Sequence, residues 1–283
     1  MGPALSGMTL SRRGLFAALI ATAGGCTPAN LLNTTVIRAG YKRTEDIPYG
    51  PLPRQQLDYY QPDVPRADGK TVVFFFGGAW DHGKRGEYVF LGQALASQGT
   101  TVIIPSYGLF PDVRFPTFLE DAALAVRWAA DRMGVEKLFL MGHSSGAHIA
   151  LMLAAHTPYL AAANVDRMKM RAVIGLSGPY DFLPITVPRL QEVFSSANDP
   201  NVQPITFAKA PLPPALLIHG AADAKVEPGN SVRLAAAWRA AGGTVELKLY
   251  PDVDHANVVA SFSELLRKRA PTLADVTAYI DGH

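Results

Sequence analysis

One stretch constrains the chain more than any other. The apolar run Leu138-Phe139-Leu140-Met141 leads into Gly142-His143-Ser144-Ser145-Gly146 and then into the helix-forming run Ala147–Ala155. A strand, expected over Lys137–Met141, that becomes a helix so abruptly must turn sharply, and the residue at the apex takes a strained backbone conformation. Side chains two positions before and after that apex would strike neighbouring backbone, so glycine is required at both. G-x-S-x-G in this setting puts Ser144 at the carboxyl edge of a sheet with its hydroxyl outward. The helix that begins at Ser145 aims a free amide where negative charge could develop. A plain small-residue turn would show the same glycines, but it does not require this strand before them and this helix after.

The rest of the chain repeats the strand–helix theme. Continuous apolar runs at Thr71–Phe76 and Thr101–Ile104 are of strand length and apolar on both faces, as in a parallel sheet covered by helices. Further strands are expected at Gln56–Tyr60, Ala172–Leu176, Ala215–His219 and Val245–Tyr250. Helices are expected at Tyr88–Ser97, near Ser231–Ala240 and near Thr272–Ile280. Another carries Leu119, Ala123, Val126, Ala130 and Met133 on one face. Alternation of this kind predicts an α/β protein with a mostly parallel, doubly wound sheet and helices on both faces. The chain divides into residues 1–26 as an export signal, 27–54 as a polar linker and 55–283 as a catalytic domain. Phe182–Pro214, short and rich in proline, reads as a small cap over the site.

Where such an elbow serves catalysis, an acid and a histidine follow the serine in that order. Asp223 lies just past the strand Ala215–His219, and His255 lies in the loop after Val245–Tyr250. Either residue alone would be an ordinary turn or surface side chain. In order, each at a strand's carboxyl end, they make Ser144, Asp223 and His255 the candidate catalytic set. Glu227 is the nearest rival acid. Asp181 comes one strand early, and Asp252 and Asp254 share the histidine's own loop. His143 and His148 read as local packing residues. His82, His156, His219 and His283 show no metal-ligand spacing, so no metal or other cofactor is expected. The second oxyanion donor should come from Gly77-Gly78-Ala79, after the strand ending at Phe76, together with the Ser145 amide. Trp80, Phe110, Phe115 and Tyr180 are expected to flank the substrate.

Composition narrows the partners. With 26 basic and 24 acidic residues the formal charge is +2, and no basic stripe suggests nucleic acid. Ser11-Arg12-Arg13 precedes the apolar run Gly14–Ala23, which is too short to span a bilayer as a helix and fits a signal peptide. Ala23-Gly24-Gly25-Cys26 then resembles a bacterial lipobox, although Ala23 stands where leucine is usual. Cleavage after Ala21-Thr22-Ala23 is the alternative. Export to the periplasm or cell envelope is therefore expected, and any membrane attachment would be through a lipid on Cys26, the chain's single cysteine. Oligomeric state is not legible.

From about Gln55 onward, the segments Gly77-Gly78-Ala79-Trp80, Tyr107–Pro111, Phe115-Pro116, Asp121–Ala123, Gly142–His148, Gly178–Asp181, His219–Asp223 and Asp254-His255 together resemble a known group. It is the bacterial α/β-hydrolase carboxylesterases related to hormone-sensitive lipase. The branch includes isoprenylcysteine methylesterase-like, kynurenine formamidase-like and feruloyl/acetylxylan esterase-like (BD-FAE-like) enzymes. The resemblance implies an α/β-hydrolase fold and hydrolysis of a small-molecule carboxylic ester by acyl transfer. A formamidase or amidase using the same residues, or a non-catalytic envelope binding protein, are the alternatives. Two departures stand out: Phe76 replaces the histidine of the commoner H-G-G motif, and Gly108 stands where relatives often have arginine.

Overall fold

Eight strands form the sheet in this computed structural model, which describes residues 28–283. They are β1 (Tyr41–Pro48), β2 (Gln56–Pro62), β3 (Thr71–Phe75), β4 (Thr101–Pro105), β5 (Leu138–His143), β6 (Ala172–Leu176), β7 (Ala215–Gly220) and β8 (Val245–Tyr250). Their order across the sheet is β1-β2-β4-β3-β5-β6-β7-β8. From β4 to β8 neighbouring strands are parallel, and β1 and β2 add an antiparallel edge. Every residue of β3 to β7 is buried, which is why these strands read as unbroken apolar runs.

The helices are α1 (Pro28–Thr34), α2 (Val89–Ala96), α3 (Thr117–Met133), α4 (Ser145–Ala155), α5 (Thr157–Ala162), α6 (Pro188–Phe194), α7 (Gly229–Ala240), α8 (His255–Ala260) and α9 (Thr272–Gly282). The crossovers β3–α2–β4 and β4–α3–β5 run in opposite directions across the sheet. Right-handed crossovers therefore place α2 and α3 on opposite faces. Accordingly α3 touches α4 and α5, while α2 touches α9. The reversal happens between β3 and β5, and a crevice opens at the carboxyl ends of strands at such a switch point. The turn carrying Ser144 leaves β5 there, and the Gly77–Ala79 loop leaves β3 beside it.

The stretch 27–54, expected as a linker, contains α1 and the edge strand β1. Pairing of Tyr41↔Pro62 through Pro48↔Gln56 adds β1 to β2. An edge strand exposed on one side needs no apolar run, and Tyr41–Pro48 has only a weak alternation of half-buried and exposed residues. What ties it down is charge: Arg43 reaches the buried Asp58 of β2 at 2.7 Å, and Arg85 reaches the same carboxylate at 2.7 Å. The expected export signal and Cys26 lie outside the described residues. Among the described residues no helix is long and apolar enough to cross a membrane. Residues 182–214 form the cap, with α6 and two 3₁₀ turns (Pro200–Val202 and Pro204–Phe207).

Candidate active site

Ser144 sits between β5 and α4 with φ 55° and ψ −123°, a conformation L-residues rarely adopt. Its amide donates to Leu176 at 2.9 Å, and its carbonyl accepts from Ala147 and His148 to start the helix. A Cβ at Gly142 would strike the Gly146 carbonyl, and one at Gly146 would strike the carbonyls of Phe75 and Phe76. The sharp turn thus has room for no side chain at either flanking position. Ser144 is half-buried and makes no side-chain hydrogen bond to another described residue, so its hydroxyl is open to the crevice.

The loop after β3 lies against this elbow. A Cβ at Gly77 would come within 3.0 Å of the Ser144 Cβ, so glycine is what lets the loop approach. Gly78, Ala79 and Trp80 all have positive φ (139°, 47° and 61°), which curls consecutive amides into a nest. Asp81 and His82 donate to the Gly78 carbonyl at 3.0 Å, and Phe110 donates to the Trp80 carbonyl at 2.9 Å, closing the turn. Gly77 departs from expectation as an oxyanion donor, because its N–H is already given to the Tyr88 hydroxyl at 3.2 Å. Gly77 contributes close approach, and the donors left for an oxyanion are the amides of Gly78, Ala79 and Ser145.

On the other side of the crevice, His255 Nδ1 is 2.7 Å from Asp223 Oδ2, and both side chains are buried. Donation from Nδ1 leaves Nε2 as a bare acceptor. The carboxylate also accepts backbone N–H groups of Lys225 and Val226 on Oδ1, each at 2.9 Å. His219 Nε2 lies 3.2 Å from Oδ2, with its Nδ1 2.7 Å from the Ser231 hydroxyl. Burial alone would raise the carboxyl pKa, but hydrogen bonds from His219, His255 and the Val226 amide together hold it far below the usual carboxylate range. Asp223 therefore stays ionised.

Three of the four rival acids are engaged elsewhere, and Asp252 is exposed. Asp181 and Glu227 both pair with Arg233, and Asp254 caps α8 through the Asn257 amide at 2.8 Å. His143 does more than pack. Its Nε2 donates to the His255 carbonyl at 3.1 Å, and the two rings lie 4.8 Å apart. Burial, and then the neighbouring His255, push its pKa down to about 3, so it is neutral. His143 directly precedes Ser144, so this contact places the His255 loop beside the elbow. His219 and Tyr88 are the residues that sequence reasoning missed. A histidine four places before the acid, at the end of the same strand, was the available signal for the first.

The four aromatics expected to flank the substrate are packed into the protein instead. Tyr180 is wholly buried, with its hydroxyl wedged against the backbone of Gly175 and Gly178. Trp80 is 3% exposed and packs on Phe118, His148, Phe182 and Phe194. Phe110 lies under the guanidinium groups of Arg189 (3.9 Å) and Arg114 (5.1 Å). These aromatics join loop, α4 and cap, and apolar burial rather than ligand contact accounts for them. Phe115 shares that cluster, 5.7 Å from Phe194. His148, fully buried at its centre, bonds the Val202 carbonyl of the cap at 2.7 Å. Among the described residues no group of three or more His, Cys, Asp or Glu side chains is gathered to hold a metal ion.

The family model BD-FAE matches residues 57–238. The chain is 30% identical over 263 residues to a probable isoprenylcysteine alpha-carbonyl methylesterase of Oryza sativa subsp. japonica, an alignment covering 81% of this chain and 63% of that one. It is also 30% identical over 242 residues to esterase LipC of Mycobacterium tuberculosis, covering 73% and 59%. The chain thus spans about three fifths of the length of these relatives. In three dimensions it resembles inhibitor-bound esterase B from Lactobacillus rhamnosis, with TM-score 0.75, 21% identity and coverage of 90% and 91%. At that identity the likeness establishes the α/β-hydrolase fold.

Proposed function

The chain belongs to the BD-FAE family of the α/β-hydrolase fold, and from that premise we propose that it hydrolyses carboxylic esters with Ser144, His255 and Asp223. The observation that carries this reading is the buried 2.7 Å bond from His255 Nδ1 to Asp223, which leaves Nε2 free to accept a proton. As Ser144 Oγ attacks the ester carbonyl carbon, its proton passes to His255 Nε2 and the carbonyl becomes an oxyanion. The amides of Gly78, Ala79 and Ser145 stabilise that charge, and the ionised Asp223 stabilises the imidazolium. Collapse expels the alcohol, which takes the proton from His255, and leaves an acyl ester on Ser144. Water, deprotonated by His255, then releases the acid.

The aromatic cluster of Trp80, Phe115, Phe118, Phe182 and Phe194 fills the space under the cap, which favours short acyl groups. Each added methylene gains about 0.8 kcal/mol only while there is room to bury it, so kcat/KM should peak between acetyl and about hexanoyl esters. The N-terminal signal motif adds that the enzyme acts outside the cytoplasm, with Cys26 as a lipid anchor.

A fluorophosphonate probe should label the wild-type protein and not Ser144→Ala, with matching loss of nitrophenyl acetate hydrolysis. A wild-type protein that neither reacts with the probe nor cleaves any ester would sink this reading. Preference for palmitoyl over butyryl esters would sink the acyl-length part alone. Unchanged membrane association of Cys26→Ser would remove the anchor.

A further inference from the structure

Phe76 stands where related loops carry a histidine, and its surroundings show what holds the loop instead. Its ring lies between those of Tyr107 (centroids 4.6 Å apart, planes at 21°) and Tyr88 (6.2 Å, 24°). Both hydroxyls go to one peptide group. Tyr107 Oη donates to the Phe76 carbonyl at 2.6 Å, and the Gly77 N–H donates to Tyr88 Oη at 3.2 Å. That carbonyl and that N–H belong to the same planar unit, so its rotation is blocked at both ends. It is also the unit just before the Gly78 and Ala79 amides. Gly77 itself touches the elbow, so a tilt of this plane changes where those amides point relative to Ser144.

We propose that Tyr88 and Tyr107 are positioning residues for the oxyanion hole, together fixing the Phe76–Gly77 peptide and through it the Gly78 and Ala79 donors. The inference rests on the esterase reading above. Its physical basis is that a donor stabilises an oxyanion only if it is aimed before the charge develops. Burial raises the pKa of both phenols, that of Tyr88 to about 12, so each remains a neutral hydroxyl at working pH. A buried tyrosine that merely satisfied its own hydroxyl would need any carbonyl. Here two tyrosines, from a 3₁₀ turn and from the loop just past β4, converge on opposite ends of one amide.

The test compares Tyr88→Phe, Tyr107→Phe and the double variant with Tyr60→Phe, which removes a buried hydroxyl on β2 that has no hydrogen-bond partner among the described residues. Kinetics are measured with nitrophenyl acetate, inhibition with a trifluoromethyl ketone whose hemiketal oxyanion occupies the hole, and stability by thermal unfolding. Each single clamp variant should lower kcat about 10- to 100-fold with KM within about twofold. It should weaken the ketone by a similar factor, and the double variant should lose less than the product of the singles. Tyr60→Phe should leave kcat and the ketone within about twofold. Clamp variants with normal kcat, or with reduced kcat but unchanged ketone affinity, overturn the inference while leaving the esterase reading intact. A wild-type protein inert to every ester and to the probe overturns both.

Discussion

The two walls of the crevice are built on different principles. On the β3–β5 side, position is set by the backbone: glycines without room for a Cβ, positive φ at Ser144, Gly78, Ala79 and Trp80, and a peptide clamped between tyrosines. On the β7–β8 side, it is set by side chains: one carboxylate gathers two histidines and two amides. In the proposed mechanism the first wall offers fixed dipoles to a charge that exists only in transit, and the second keeps a permanent charge buried and moves a proton beside it. A backbone-built wall should fail by steric insult, and a side-chain-built wall by loss of a single partner.

Breaking the proposed set of Ser144, His255 and Asp223, which spans both walls, should have the largest effect. Ser144→Ala and His255→Ala should each reduce kcat by about 10³–10⁶, and combining them should add little, because the set acts as a unit. Asp223→Asn should cost about 10⁴ by favouring the wrong tautomer, while Glu227→Gln should remain near normal. The reverse ranking of those two acids in steady-state kinetics would mean that the orienting carboxylate is misassigned.

The first wall should answer to volume instead. Gly146→Ala drives a methyl into the carbonyls of Phe75 and Phe76. It should destabilise the protein by about 1–3 kcal/mol in denaturant unfolding and lower kcat together with fluorophosphonate labelling. If Gly146→Ala behaves like wild type in both assays, the elbow is looser than described.

Under the cap, on α4, sits the buried His148, and pH sharpens the comparison. Burial pushes its pKa down to about 4 from 6.5, although its bond to the Val202 carbonyl acts the other way. The unfolded chain therefore binds this proton first. Stability is unaffected above about pH 6.5 and falls as pH drops toward 4, by up to about 1.4 kcal/mol per unit. His148→Gln, which can keep the bond to Val202, should flatten thermal stability across that window. An unchanged slope would assign the acid sensitivity to other groups.

The smallest effect should come from the rim. Arg189 is half-exposed, with an ion pair to Asp81 at 3.2 Å and a stack on Phe110. Exposed pairs contribute about 0.2–1 kcal/mol, so Arg189→Ala should shift unfolding by no more than that and kcat/KM by less than about threefold. A larger loss would make the cap–loop link part of the working site.

How much of this was legible follows the same division. Backbone-built features leave local signatures: Gly142 and Gly146 around Ser144, the apolar runs of β3 to β7, and the glycines after Phe76 could all be read directly. Asp223 and His255 could be found from chain order, since each must lie at a strand's carboxyl end. What stayed hidden was side-chain convergence across the chain. Tyr88 reaches a loop 11 residues before it and Tyr107 one 31 residues before it, and no spacing rule predicts either. Strand β1 was missed because an edge strand held by Arg43 and Asp58 needs no apolar pattern. Trp80, Phe110 and Tyr180 were misread because an aromatic beside a motif suits a core as well as a pocket wall.

The sheet from β5 to β8 adds its strands in the order in which they are synthesised. Strand β5, which leads into the elbow, has its partner β3 in place long before His255 exists, for His143 and His255 lie 112 residues apart. At about 5–20 residues per second, that is a delay of about 6–22 s on the ribosome. On the mechanism proposed above, Ser144 would during that interval have no base to take its proton. Arrival of the last strand and its loop would switch the protein on, so a chain truncated anywhere before His255 should be inert toward the esters around it.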